Sequence, residues 1–353
     1  MKILVYGAGV LGSLYAARLH ASGQDVSILA RGQTLEDLRK HGIVLEDVTT
    51  GQQTVTRVPV VEELAPDDAY DWVLVVMRKS QVSAVLPTLA ANTHTPNVLF
   101  LMNNAAGAAE MIRSLGYDRV LLGFPGAAGV RVGHVVRCLA GRGSRKATAT
   151  IGELDGRTSP RLQELRSVLE AAGFAVAIEP NIDAWLKAHV ALVSPMANAL
   201  YMAGGDNHRL AHTRDGLVLM IRAIREGFRV LRALGIPIRP AALQVLSWLP
   251  EPLLVGLAGR LLDTAVAEVA LAGHANAARD EMKLLADEFR ALALSTTVPT
   301  PAMEHLYQYL DVTVPPVREG SAHIAMDWRG IWIGLGLLAV LTAVLRLRPR
   351  RRR

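Results

Sequence analysis

The sequence has 353 residues, too long for one small domain and long enough for two with cores of their own. Apolar residues make up 51% and aromatics only 5%, so the cores must rest on Ala, Val and Leu, which suits α/β and helical packing rather than an aromatic-rich β sandwich. The net charge of +6 does not mark a nucleic-acid binder: Arg346, Arg348, Arg350, Arg351, Arg352 and Arg353 account for it, and the remaining 32 basic residues balance 32 acidic ones, leaving no basic face for a polyphosphate partner.

In chain order, KILVY, DVSILA, DWVLVVM, NVLFLM and RVLLGF read as strands, and Leu11, Leu14, Ala17 and Leu19 give a helical stripe between the first two. Strand, helix, strand order implies parallel strands with right-handed crossovers. HVVRCLA, KATATIGEL and AVAIEP are expected to extend the same sheet. From about Asn181 to Asp311 helical periodicity replaces strand signals, with breaks near LGIPIRP, WLPEP and TTVPTP. The expected fold class is an α/β Rossmann-type dinucleotide-binding domain (1–179) followed by an all-α C-terminal domain (180–314) for substrate binding and dimerisation. Residues 315–353 read as a linker, an apolar helix and an Arg-rich tail. Cys138, the single cysteine, has no disulfide partner and fits a reducing compartment. The opening residues lack a signal-peptide pattern, so the body is expected in the cytoplasm.

Gly7, Gly9 and Gly12 form G-x-G-x-x-G directly after a strand and directly before a helical pattern, and that context lifts the motif above an ordinary glycine turn. Gly7 permits the turn, Gly9 lets backbone approach a pyrophosphate, and Gly12 lets helix pack on strand, with Ala8, Val10 and Leu11 completing the loop. The helix N-terminus then offers free N–H groups to phosphate oxygens. An NAD site would carry an acid at the end of the second strand; here SILARGQ ends on Arg31, whose guanidinium suits a 2′-phosphate, so NADP (NADPH) is the expected cofactor.

GAGVLGS, VSILAR, VVMRKSQV, LFLMNNAAG, ATATIGELDG and DAWLKAHVALVSP occur in an order that resembles the ketopantoate reductase (2-dehydropantoate 2-reductase) family over roughly residues 1 to 310. The resemblance implies an NADPH-dependent reductase of a small-molecule 2-keto acid, serving pantothenate biosynthesis, with the site in the cleft between a Rossmann and a helical domain. It places Arg31 on the 2′-phosphate arginine, Arg78 on a cofactor-side lysine followed here by Lys79 and Gln81, Asn103 near nicotinamide and substrate, and Lys187 on the catalytic lysine.

Reducing a ketone builds charge on oxygen, so a cation or acid must stand there, and Lys187 can both polarise the carbonyl and protonate the alkoxide. Helical geometry puts Ser194 and Asn198, seven and eleven residues on, on the Lys187 face. The alternative is a lysine that snorkels to water with two locally satisfied polar neighbours. The chain departs from the family where asparagines would follow the lysine: Ala191 and Pro195 stand there, and Pro195 is expected to kink the helix. Ala265, next to Thr264, and Ala277 stand at the family's serine and glutamate. These changes leave open a different carbonyl substrate or, as the alternative function, a membrane-tethered NADP-binding sensor or scaffold without efficient turnover.

His189, His208 and His274 lack metal-ligand spacing, and Ser80 and Ser194 lack a His and acid pattern, so neither a metal site nor a hydrolase triad is expected. Gly330 to Leu345 carries no charge and would span about 24 Å as a helix, short of a hydrocarbon core of about 30 Å. With Trp328 and Trp332 before it and the arginines after it, the segment reads as attachment to the cytoplasmic face of a membrane. A homodimer is compatible with the helical domain.

Overall fold

The computed structural model describes residues 1–139 and 148–332. Val, Ile and Leu runs, fully buried in the central strands, build an eight-stranded sheet, as expected where both faces are covered. It comprises β1 (Lys2–Tyr6), β2 (Asp25–Leu29), β5 (Val60–Val61), β6 (Trp72–Val75), β7 (Val98–Leu101), β8 (Val120–Phe124), β11 (Thr148–Glu153) and β12 (Ala175–Ile178). Their order is β12-β11-β8-β7-β6-β1-β2-β5, parallel from β5 through β8, with β11 antiparallel to β8 and parallel to β12. The chain runs outward from β1 to β2 on one side and through β6, β7 and β8 on the other. The carboxyl ends of β1 and β6 therefore flank the crevice where an open α/β sheet takes its ligand. Helices α1 (Val10–Ala21), α2 (Gly32–His41), α3 (Val82–Ala91), α4 (Ala109–Leu115) and α5 (Pro160–Ala171) complete this half.

One expectation about the sheet is corrected. HVVRCLA forms β10 (Val135–Leu139) in a separate four-stranded sheet with β3 (Ile43–Asp47), β4 (Gln53–Thr56) and β9 (Ala128–Val132), ordered β4-β3-β10-β9. Its alternation explains this: Val136 and Cys138 are buried, while Arg137 points outward and pairs with Glu46 at 2.6 Å. A strand with one polar face suits a sheet lying over α1, not the middle of a sheet covered on both sides. Burial also pushes the Cys138 thiol up, away from the reactive thiolate.

The helical half begins at α6 (Ile182–Met202), capped by Asn181, whose side chain accepts the Ala184 N–H at 3.0 Å. This helix continues through Pro195. It packs on α8 (Arg214–Ala233), where Ala191 meets Gly227: a methyl on Gly227 would lie 3.1 Å from the Ala191 Cβ. Around them lie α7 (Asn207–His212), α9 (Val245–Trp248), α10 (Glu251–Leu262), α11 (Ala265–Ala267), a π turn at Glu268–Gly273, α12 (His274–Ala277), α13 (Arg279–Leu294) and α14 (Pro301–Tyr307).

The segment expected to be a linker from residue 315 is strapped to this domain as far as Asp327. Val317 donates its N–H to Met202 O at 2.9 Å, buried Asp215 accepts the His323 and Ile324 N–H groups at 2.9 and 2.8 Å, and buried Glu251 accepts that of Asp327 at 2.9 Å. Among the described residues no helix is long and apolar enough to cross a membrane. The proposed apolar anchor, from residue 333 onward, and the terminal arginines lie outside the described residues.

Candidate active site

The glycine loop follows β1 and caps α1. Gly7 has φ +117, and a Cβ there would lie 2.5 Å from Val76 O; a Cβ on Gly12 would run into Gly7 O. Above Gly9 nothing lies within 4 Å. Two glycines are thus required by the fold itself, while the third leaves open space beside the unsatisfied N–H groups of Val10, Leu11 and Gly12. That is the shape a pyrophosphate needs, so the residues present fit a dinucleotide. Arg31 ends β2 at the cap of α2, exposed, with its Nε–H donated to Glu62 O at 3.3 Å. No acid occupies the end of β2.

The second part of the site lies at the end of β7. Asn103 is buried, and its Oδ1 has no hydrogen-bond partner among the described residues. Next to it a tight turn closes on itself: Gly107 N–H donates to Asn104 Oδ1 at 3.1 Å, and Asn104 Nδ2 donates to Gly107 O at 2.9 Å. Glu288 of α13 accepts the Ala105 and Ala106 N–H groups at 3.0 and 3.1 Å. Lys187 comes to this turn from α6. It is buried, hydrogen-bonded to Asp183 one helical turn earlier, and a methyl on Gly107 would lie 3.5 Å from its Nζ. Gly107 thereby admits the ammonium to the loop that carries Asn103.

Ser194 and Asn198 are buried on the same helix but line a separate small cavity with Pro195, Arg290, Glu304 and Tyr307, to which neither Lys187 nor Asn103 contributes. Seven residues of helix carry Ser194 about 10 Å along the axis from Lys187. The shared face does not bring these residues to the ammonium. Arg78 is engaged elsewhere too, donating to Asp280 Oδ1 at 3.2 Å and Ala277 O at 2.6 Å, so it joins the end of β6 to the helical domain.

The sequence reading did not bring together several polar groups at this junction, of which Lys79 and Glu281 are buried and His274 is half exposed. Lys79 is buried with its Nζ 3.9 Å from Glu288, and its N–H donates to Glu281 at 3.4 Å. Burial pushes the Glu281 carboxyl up, opposed by the Lys79 N–H, Arg78 and the Asn103 side chain. His274 lies 3.9 Å from Glu281 and is held down by burial and by Arg78. His189 is stacked on Trp185 at 5.1 Å and tilted on Phe124 at 4.2 Å; burial, then His274, lowers its pKa to about 4. The available signal was the spacing of Glu281 and Glu288, seven apart on one helix and hence on one face, and the i,i+4 pair Asp183 and Lys187. Among the described residues no cluster of metal-ligating side chains occurs.

Residues 3–155 match the family model "Ketopantoate reductase PanE/ApbA". This stretch of the chain is a ketopantoate reductase family domain. A 2-dehydropantoate 2-reductase from Archaeoglobus fulgidus is 29% identical over 241 residues, covering 66% of this chain and 75% of the relative. Another from Halobacterium salinarum is 28% identical over 251 residues, covering 69% and 79%. Among solved structures, the 2-dehydropantoate 2-reductase from Geobacter metallireducens superposes with a TM-score of 0.71 at 17% identity, covering 89% of this chain and all of that one. D-mandelate dehydrogenase, in a ternary complex with NADH and anilino(oxo)acetate, gives a TM-score of 0.72 at 16% identity, covering 88% of this chain and 97% of that one. At these identities the two structures share the fold. The family match covers the nucleotide-binding part of the chain, residues 3–155, and supports a NAD(P)H-dependent ketone reductase.

Proposed function

We propose that this chain uses NADPH to reduce the ketone of a 2-keto acid of ketopantoate type, with Lys187 as proton donor and Asn103 orienting the carbonyl. The observation that carries this reading is the approach of the buried Lys187 ammonium to the Gly107 turn, beside an Asn103 whose Oδ1 is buried without a partner.

When bound, the nicotinamide cofactor would supply the hydride for the carbonyl carbon. The chain's own residues provide the rest. On this reading the Lys187 ammonium neutralises charge gathering on the ketone oxygen and then passes that oxygen a proton. Asp183 fixes the direction of the Nζ. Asn103 offers both a donor and an acceptor for substrate or carboxamide. Arg31, exposed at the end of β2 with no acid beside it in sequence, supports NADPH over NADH.

The test is NADPH oxidation by the full chain with ketopantoate, run beside Lys187→Ala. Turnover that falls by roughly a hundredfold or more in the variant supports the assignment. NADPH binding without turnover on ketopantoate or other 2-keto acids overturns it.

A further inference from the structure

The hairpin of β9 and β10 carries one side chain that the glycine motif does not account for. Arg131, on β9, places Nη2 2.7 Å from Ala8 O and 3.3 Å from Ser13 Oγ, spanning the glycine loop and the first turn of α1. The strand bearing it is pressed onto that turn: a methyl on Gly129 would meet Val10 Cγ1 at 2.9 Å and Arg137 O at 2.5 Å. On its other side Val130 touches the helical domain, since a methyl on Gly273 would lie 2.9 Å from Val130 Cγ1. The strand is therefore wedged between the nucleotide loop and the π turn, and Arg131 has little freedom to leave.

Its charge has no contacting carboxylate among the described residues. Among the described residues no carboxylate lies within ion-pair distance of Arg131, and its Nε and Nη1 make no hydrogen bond. The group is half-buried, and burial draws its pKa down, with Asp37 the acid that opposes this. Neutral oxygens at Ala8 and Ser13 orient a guanidinium without neutralising it. A partly desolvated guanidinium held this way, with two donor nitrogens unbonded among the described residues, favours an anion at that place. The anion that belongs at this loop, on the reading of the chain as a dinucleotide enzyme, is the pyrophosphate over Gly9.

We propose that Arg131 is a cofactor-binding residue that pairs with the dinucleotide pyrophosphate, so that the β9–β10 hairpin, and not the glycine loop alone, forms the phosphate site. This role differs from that expected of Arg31, which on the dinucleotide reading takes the 2′-phosphate. It rests on the dinucleotide reading but makes a separate claim about which phosphate is gripped.

The experiment compares binding of NADPH, NADH, ADP-ribose and 2′-phospho-ADP-ribose to the full chain, to Arg131→Gln, to Arg131→Lys and to Arg31→Ala, with thermal unfolding of each unliganded protein as the fold control. Arg131→Gln should weaken all four ligands by a similar factor, roughly tenfold or more, with Arg131→Lys recovering part of it and the unliganded melting point little changed. Arg31→Ala should instead weaken only the two ligands that carry a 2′-phosphate. Equal binding by Arg131→Gln and the natural chain overturns the proposal, as does a loss confined to the 2′-phosphate ligands. Failure of the natural chain to bind any of the four removes the dinucleotide reading itself, an outcome distinct from failure of Arg131 alone.

Discussion

The Lys187 ammonium is hydrogen-bonded to the Asp183 carboxylate one turn back on α6, and the same carboxylate lies near the Gly107 turn, where a methyl would come 3.3 Å from its Oδ1. The acid therefore aims the lysine at the loop carrying Asn103. In Asp183→Asn the lysine keeps its charge but loses the charge-assisted bond that orients it, so kcat should fall by about tenfold while KM for NADPH holds. Lys187→Ala should fall much further. Steady-state kinetics of the two variants decide this; an Asp183→Asn enzyme with unchanged kcat would remove the positioning role.

The glycine loop separates fold from binding. A Cβ on Gly12 collides with Gly7 O, so Gly12→Ala should destabilise the nucleotide domain by about 1–3 kcal/mol and abolish cofactor binding. Gly9 faces open space and is not at positive φ, so Gly9→Ala should leave the melting point nearly unchanged yet fill the volume the pyrophosphate needs. Thermal unfolding with and without NADPH reads both. A Gly9→Ala protein stabilised by NADPH as well as the natural chain is would show that the phosphates lie elsewhere.

The parts legible in the sequence were those set by local rules. G-x-G-x-x-G, the buried strands and Lys187 on its helix each follow from spacing within a dozen residues. The rest depends on docking between distant segments. Nothing near HVVRCLA announces that β10 pairs with β3, some ninety residues earlier, and without that sheet Arg131 has no visible connection to Ala8. Glu281 and Glu288 stand on a helix with ordinary amphipathic character, and only its packing against the ends of β6 and β7 turns them inward to Lys79, Ala105 and Ala106. Ser194 and Asn198 show the limit of helical periodicity, which made the shared face legible but not which cavity each part of that face borders.

Arg31 stands at the N-cap position of α2, and among the described residues its guanidinium hydrogen-bonds only the Glu62 carbonyl, while the Glu62 carboxylate is taken by Arg39 at 2.6 Å. Arg31→Ala should therefore change stability by less than about 0.5 kcal/mol while raising the NADPH dissociation constant tenfold or more and leaving that for NADH nearly constant. Titration of the two cofactors measures the difference. Equal losses would assign the 2′-phosphate to another group.

Glu288 serves two partners at once, the buried Lys79 ammonium and the N–H groups of Ala105 and Ala106. Removing it strands a cation and two donors. Glu288→Ala should destabilise the chain by about 3 kcal/mol in urea unfolding, and Lys79→Met combined with Glu288→Gln should cost less than the two single changes added together. Strict additivity in that cycle would mean the pair does not interact.

His189 gives the stability of the fold a defined pH dependence. Its pKa is about 4 in the folded chain against an ordinary value of 6.5, because burial among Trp185 and Phe124, and then His274, disfavour the imidazolium. Above pH 6.5 the ring is neutral in both states and nothing is lost. As pH falls from 6.5 toward 4 the unfolded chain takes up a proton that the folded chain refuses, so stability declines across that window and levels below it. The decline amounts to about 2 kcal/mol once the ring edge that still meets solvent is allowed for. His274, also held down by burial and by Arg78, acts in the same direction, whereas Glu281, whose carboxyl is pushed up, binds its proton more readily when folded and offsets part of the loss. Urea unfolding from pH 7.5 to 4 should show a shallower slope for His189→Gln than for the natural chain. Parallel curves would mean that the folded protein protonates His189 as freely as the unfolded one does.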